Sequence, residues 1–159
     1  MPSPQFLAGQ QLSAAQLQQL GDSDSTWIPT LEGQTTNPDL GGSPVQWSMV
    51  HLNGEEVDLW FALQFGSSSD PGEGAYQVPL PAAYPIMAGF YDTGFGQGRI
   101  LEASPVAVVT TWVSIDVGGQ FLYFRNQADA TLITHANPQS WDDGDWLLGH
   151  ATYLTDFGV

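Results

Sequence analysis

The fold of this chain is decided by the run Val45-Gln-Trp-Ser-Met-Val-His-Leu-Asn53-Gly54-Glu-Glu-Val-Asp-Leu-Trp-Phe-Ala-Leu-Gln-Phe65. Asn53-Gly54 predicts a tight turn, because both residues tolerate the positive φ that a type I′ hairpin requires. The turn joins a strand at residues 45–52 to a return strand at residues 55–65. Trp60 lies on the more polar face of the return strand, either as a packed outer residue or in a subunit interface. The opposite face is predicted to enter the core and carries Val57, Leu59, Phe61, Leu63 and Phe65.

Short alternating segments continue on both sides of this hairpin. The 18 glycines and 11 prolines interrupt the chain too often for long helices. Gly118-Gly119 predicts a second tight hairpin. We therefore expect an all-β fold, an antiparallel β-sandwich of jelly-roll type with eight or nine strands. Besides the first hairpin, strands are predicted at residues 26–31, 76–80, 99–104, 106–117, 120–125, 130–135 and 146–154.

The N-terminal segment predicts a short helix. Ser13 can cap it, Gln16 completes a capping box, and Gly21 ends it. Two turns are too few to be stable alone in water, so the apolar side chains of this helix need a partner. The helix either folds back onto its own domain or serves as a docking peptide or short trimer seam. The expected division is an anchor with helix and linker at residues 1–25 and a β-sandwich head at residues 26–159.

Composition limits the function. Seventeen acidic residues against two arginines and no lysine give a net charge of −15, which repels nucleic acid phosphates and excludes nucleic acid binding. The acids are scattered and predict a solvated surface. Without cysteine the chain can form neither disulfides nor thiolate metal sites. No membrane-spanning run or signal peptide is recognisable, so we expect a soluble protein made in the cytoplasm.

No catalytic constellation is recognisable. His51, His135 and His150 fall in three separate predicted strands without the spacing of a Ser-His-Asp triad or a metal site. Residues 142–145, Asp-Asp-Gly-Asp, faintly resemble a calcium loop, but a plain turn explains them better because the terminal glutamate is missing. The glycine-rich residues 94–98 are followed by no lysine, which excludes a phosphate loop. We therefore predict no catalytic residue, cofactor or metal.

Two long loops are predicted at residues 66–74 and 84–97. The second is unusually aromatic for a loop, because Phe90, Tyr91 and Phe95 lie among glycines. Such a loop fits a ligand or partner surface, and burial under a neighbouring subunit explains it as well. Together with Trp60 and Trp112, these three residues are the candidate ligand or subunit contacts.

Several scattered motifs suggest a family. Residues 6–17 resemble the F-x-A-G-x-x-L-T-A-x-x-L opening of minor tail and fibre-like virion proteins of phages that infect actinobacteria. Residues 27–41 resemble their W-x-P-T-L and T-N-P-x-L-G stretches, residues 74–81 their G-x-Y-x-x-x-L-P, and residues 141–153 their closing W-x-x-G-D-x-L and Y. Two departures stand out: this chain is strongly acidic, and we expect a stand-alone head with a short anchor, as in a capsid fibre or decoration protein.

The resemblance implies a non-enzymatic structural protein on the virion surface. Its N-terminal segment would attach it to capsid or tail, and its head would be exposed as a homotrimer. The anchoring residues would be Phe6, Leu12, Leu17 and Leu20. A carbohydrate-binding module for host surface glycans is the alternative, and host attachment can combine both. A hydrolase acting on cell-wall glycan through two carboxylates is a third hypothesis.

Overall fold

The computed structural model describes residues 23–24, 26–89, 94–103, 106–115 and 119–155, without the side chains of residues 23, 24, 94, 95 and 106. The described residues form nine strands: β1 Ser23–Asp24, β2 Glu32–Gly33, β3 Val45–Asn53, β4 Glu56–Gln64, β5 Tyr76–Pro79, β6 Gly94–Ala103, β7 Val106–Ile115, β8 Phe121–Asn126 and β9 Trp146–Leu154. They make one antiparallel sheet in the order β1-β3-β4-β9-β6-β7-β8-β5-β2. The predicted all-β antiparallel architecture is thus confirmed, but as one sheet where a two-sheet sandwich was expected.

The sheet must be curled, because its two edge strands are close together in the chain. Asp24 ends β1 at one edge, and Glu32 begins β2 at the other. Eight residues of extended chain reach at most about 29 Å. The edges of a flat nine-stranded sheet would lie about 38 Å apart. The sheet therefore curls around its buried face, like half of a barrel.

The buried side chains line the concave face, called the inner face below. Rings from strands far apart in the strand order meet there: Phe61 of β4 lies edge-on to Phe124 of β8, with 5.9 Å between the ring centroids. Beneath them, Gly149 of β9 pairs with both Phe61 and Gly98 of β6. A Cβ on Gly149 would lie 2.3 Å from the Phe61 ring. Gly149 thus leaves the space that the Phe61 ring occupies, and Gly98 leaves space for Thr111 and the Leu148 carbonyl; such glycines also allow a sheet to bend.

The first hairpin forms as predicted, but its turn lies one residue further on. Asn53 pairs with Glu56, so Gly54 and Glu55 are the loop residues. Of these two, only Gly54 has positive φ, at 65°, which fits a type II′ turn with glycine first and corrects the predicted type I′ turn. The pairing moves by two residues relative to the prediction. An even shift keeps every side chain on its face, so the predicted core residues of β4 remain correct.

Two predicted strands are absent as such. Residues 26–31 form no ladder but cross the inner face, where the Trp27 ring lies edge-on to Phe61. Side chains of β3 supply hydrogen bonds to the backbone carbonyls of this segment: Gln46 Nε2 donates to the Pro29 carbonyl, and Ser48 Oγ donates to the Trp27 carbonyl. Residues 130–135 make only isolated bridges, because their backbone pairs with several different segments. Ser23–Asp24, expected in the linker, pairs with β3 instead.

Other predicted features lie outside the described residues. These are the N-terminal helix, whose residues precede Ser23, and most of the Gly118-Gly119 turn; the strands that this turn joins do pair. Within the described ranges no helix has the length and apolar character needed to cross a bilayer.

Burial also leaves one polar group unpaired. Thr111 is fully buried, and its Oγ1 finds no hydrogen-bond partner in the described part of the chain.

We expect Thr111→Val to stabilise the protein by about 1 kcal/mol, because an unpaired buried hydroxyl is removed while the shape is kept. Urea unfolding measures this. Thr155→Val is the matched control: Thr155 is equally buried, but its Oγ1 donates to the Pro85 carbonyl at 2.6 Å, so this change should destabilise. Equal effects of the two changes would contradict the expectation.

Candidate functional site

The convex side of the sheet, called the outer face below, brings three aromatic side chains and a glutamine from four strands into one lateral row. Trp60 of β4 pairs with His150 of β9, His150 with Gln97 of β6, and Gln97 with Trp112 of β7. Alternation explains this placement, since Trp60, His150 and Trp112 each lie between two buried neighbours on their own strands. The pairing register therefore joins residues that are far apart in the sequence.

Trp60 and His150 form a stacked pair in this row. Their ring centroids are 4.5 Å apart, and the ring planes differ by 17°. His150 Nε2 lies 3.7 Å from Asp58 Oδ1 and 3.5 Å from Thr152 Oγ1. Thr152 Oγ1 donates to the same Asp58 oxygen at 2.6 Å. This is no catalytic triad, because one imidazole nitrogen faces both partners and the hydroxyl proton is committed to the carboxylate.

A shallow, open groove of about 370 Å³ lies beside this pair. Its size falls at the lower end of the range of small-ligand sites. Trp47, Trp60 and Leu148 supply apolar wall, while Gln97 and Arg99 supply polar groups. None of the lining residues is a carboxylate. The described groove therefore lacks the carboxyl pair that glycoside hydrolysis requires.

The outer face also concentrates the few cationic groups of the chain. Both of its arginines, Arg99 and Arg125, point to this side, although the net charge is −15. Arg125 Nη1 donates to the Ala130 carbonyl at 3.3 Å. The Arg99 guanidinium and the Gln97 amide make no hydrogen bond or ion pair within the described ranges. Both groups are therefore free to meet a ligand.

The same face exposes most of the accessible apolar side chains. Of the six large apolar side chains that are exposed in the described part of the chain, five belong to β3 and β7 on this face. Trp47 is 52% exposed and Val108 60% exposed. Exposed apolar side chains gathered on one face make this face the candidate binding surface of the described residues. These five residues are Val45, Trp47, Met49, Val108 and Trp112.

The structure places two of the residues proposed from the sequence, Trp60 and Trp112, in the same row of the outer face but three strands apart, and of the two only Trp60 lines the groove. Phe90 and Tyr91 lie outside the described residues, as does the side chain of Phe95. The proposed anchor residues Phe6, Leu12, Leu17 and Leu20 lie outside them as well.

The sequence did not predict that Trp47, Gln97, Arg99 and His150 line one groove. Pairing with Ala62 puts Trp47 on the outer face, but alternation along β3 does not indicate this, because both of its faces carry apolar residues. The groove itself depends on the register of four strands, which one sequence does not reveal.

The acidic turn at residues 142–145 is structural. Asp145 is 1% exposed, and its two carboxylate oxygens accept from the Ala103 and Asp142 amides and from the Gln139 side chain. Its oxygens are therefore used inside the protein. Within the described ranges no group of three or more His, Asp or Glu residues is placed to hold a metal ion.

No protein-family model matches the chain, and no curated protein matches it by sequence. Among solved structures, the chain is similar to the crystal structure of the Dettilon tailspike protein, with a TM-score of 0.57 and 13% sequence identity. The likeness covers 86% of this chain but only 24% of the tailspike chain, so this chain spans about a quarter of the tailspike's length. At this identity the likeness shows the fold alone.

Proposed function

We propose that the chain is a structural component of a phage virion, associated with its tail and displayed on its surface. The observation that carries this proposal is the fold, because the curled sheet resembles part of a tailspike protein over 86% of the chain. The virion-protein motifs at residues 6–17 and 27–41 support it independently. The protein acts by assembly and binding, without catalysis. The groove, which lacks carboxylates, and the committed Thr152 hydroxyl both fit that role.

The finer proposal concerns attachment. Phe6, Leu12, Leu17 and Leu20 hold the chain to the capsid or tail, and the head projects as a homotrimer, in the manner of a fibre or decoration protein. The exposed apolar side chains of the head that lie outside the groove, such as Ile28 and Val108, are candidates for burial between subunits, at about 25 cal/mol per Å² of apolar area.

Saccharide binding is the second function that we propose, and one observation favours it. The indoles of Trp47, Trp60 and Trp112 are collected on one face, with the groove between β3 and β7. Indole rings offer flat apolar surface with a polar N–H, which suits the mixed character of a sugar ring. A virion head that binds a host glycan would carry both functions.

Deleting residues 1–20 should leave a folded head that no longer joins particles. We expect the full-length chain to co-sediment with particles of the phage that encodes it, and the truncated chain to remain in solution with an unchanged β-sheet circular dichroism spectrum. Light scattering should give a full-length mass about three times the 17.1 kDa of one chain. Absence of the chain from purified particles, by mass spectrometry, would contradict the virion proposal. Unfolding of the truncated chain would assign the helix to the core, and a monomeric mass would contradict the trimer.

A further inference from the structure

The groove combines an apolar wall with uncommitted polar groups. Trp47 and Trp60 come from neighbouring strands, and Ala62 and Leu148 keep the floor between them apolar. The Trp60 ring is held by its stack against His150, so little rotamer freedom is left to lose when a ligand binds. Gln97 and Arg99 enter from β6 on the far side. A ring with an apolar face and polar substituents fits such a surface.

The charge in the groove narrows the class of ligand. Seventeen carboxylates are available in this chain, yet Arg99 pairs with none in the described ranges, and no carboxylate lines the groove. A guanidinium binds a carboxylate through two parallel hydrogen bonds, and near an apolar wall this contact is stronger than in open water. The geometry therefore favours an anionic ligand over a neutral one.

Other anionic or apolar partners fit less well. The net charge of −15 repels dense polyanions such as nucleic acids. A second copy packed symmetrically through the same face would put Arg99 and Arg125 of both copies into one interface, and the groove lining offers them no carboxylate. A sugar acid carries one carboxylate on a largely neutral ring, and this matches a single arginine beside indoles.

We propose that the groove binds a saccharide that contains a sugar acid, with the sugar ring on Trp47 and Trp60 and its carboxylate on Arg99. Gln97 is placed to hydrogen-bond a hydroxyl of the same ring. This inference rests on the saccharide-binding function proposed above and is independent of membership in a virion.

The test uses the full-length chain and a panel of polysaccharides that contain galacturonic, glucuronic or sialic acid. Each is presented next to its carboxyl-reduced counterpart, which has the same ring and linkage without the charge. We expect at least one acidic member to bind and its reduced counterpart to bind at least about tenfold more weakly. Added salt should weaken the acidic interaction further.

Matched variants locate the site. Arg99→Gln and Trp47→Ala should each weaken binding by about tenfold or more. Arg125→Gln removes the same charge from the same face outside the groove and should leave binding unchanged. Circular dichroism and light scattering check that each variant keeps its fold and mass.

Four results would overturn the proposal. Equal binding of the acidic and the reduced polysaccharides would contradict the preference for a sugar acid but not saccharide binding itself. Absence of binding across the panel would contradict both the preference for a sugar acid and saccharide binding. Equal losses for Arg99→Gln and Arg125→Gln would reduce the effect to overall charge. A change of mass caused by Trp47→Ala would make the groove a subunit contact.

Discussion

Gly149→Ala is expected to destabilise the protein by about 3 kcal/mol, because it puts a methyl group into the closest-packed part of the inner face. The new Cβ would lie 2.3 Å from Cζ and 2.5 Å from Cε1 of Phe61. Two other rings restrict the movement of Phe61, since it packs edge-on to Trp27 at 6.0 Å and to Phe124 at 5.9 Å. Relief would therefore require neighbouring rings or the β4–β9 backbone to shift as well.

Chemical denaturation of the purified chain measures this effect, and a second substitution tests its cause. Phe61→Leu shortens the side chain that meets the new methyl, so the double variant should lose less stability than the two single changes added together. Gly54→Ala is the control: nothing lies within 4 Å of its Cβ, but its φ is +65°, so only about 1 kcal/mol of backbone strain is expected. Strict additivity with Phe61→Leu, or equal losses at Gly54 and Gly149, would contradict steric conflict with the ring.

The sequence predicts the strands well where alternation is regular. The strand at residues 146–154 has the predicted bounds, and the five inward residues predicted for the return strand are all buried. The strand predicted at residues 26–31 is absent, because hydrogen bonds from β3 side chains replace a ladder there. Trp27 and Leu31 of this segment do belong to the core. Hydrophobic pattern thus reports burial more reliably than it reports strand pairing.

The curl could not be predicted in the same way. It depends on Gly98 and Gly149 becoming cross-strand partners beneath Phe61 and Phe124, and only the register of β6 with β9 places them together. The same register forms the groove, since it brings Gln97 beside His150 on the opposite face. The sequence therefore predicts that Trp60 faces outward. It predicts neither the stacking of Trp60 on His150 nor the presence of Arg99 in the same groove.

Asp145→Ala is the second change for which we expect a loss of about 3 kcal/mol or more. Asp145 Oδ1 accepts from the Ala103 amide at 2.8 Å, and Oδ2 accepts from the Asp142 amide at 3.0 Å and from Gln139 Nε2 at 3.3 Å. The carboxylate is 1% exposed, so water cannot readily replace it. Removing it leaves partly buried donors without an acceptor at the end of β6 and on the turn before β9, and each carries its own desolvation cost.

Asp145→Asn separates the contribution of the acceptor oxygens of Asp145 from that of the size and shape of its side chain. Asparagine keeps the size but replaces one acceptor oxygen by an N–H donor, which would face another donor, so most of the loss should remain. Asp143→Asn is the matched control, because Asp143 is an exposed acid of the same turn and its charge contributes little. Thermal and urea unfolding measure all three variants. If Asp145→Asn is as harmless as Asp143→Asn, the oxygens of Asp145 do not hold the turn. If Asp145→Asn destabilises the protein as much as Asp145→Ala does, the turn is stabilised by a carboxylate inside the protein. This internal role agrees with the described residues, in which no three or more candidate metal ligands are grouped.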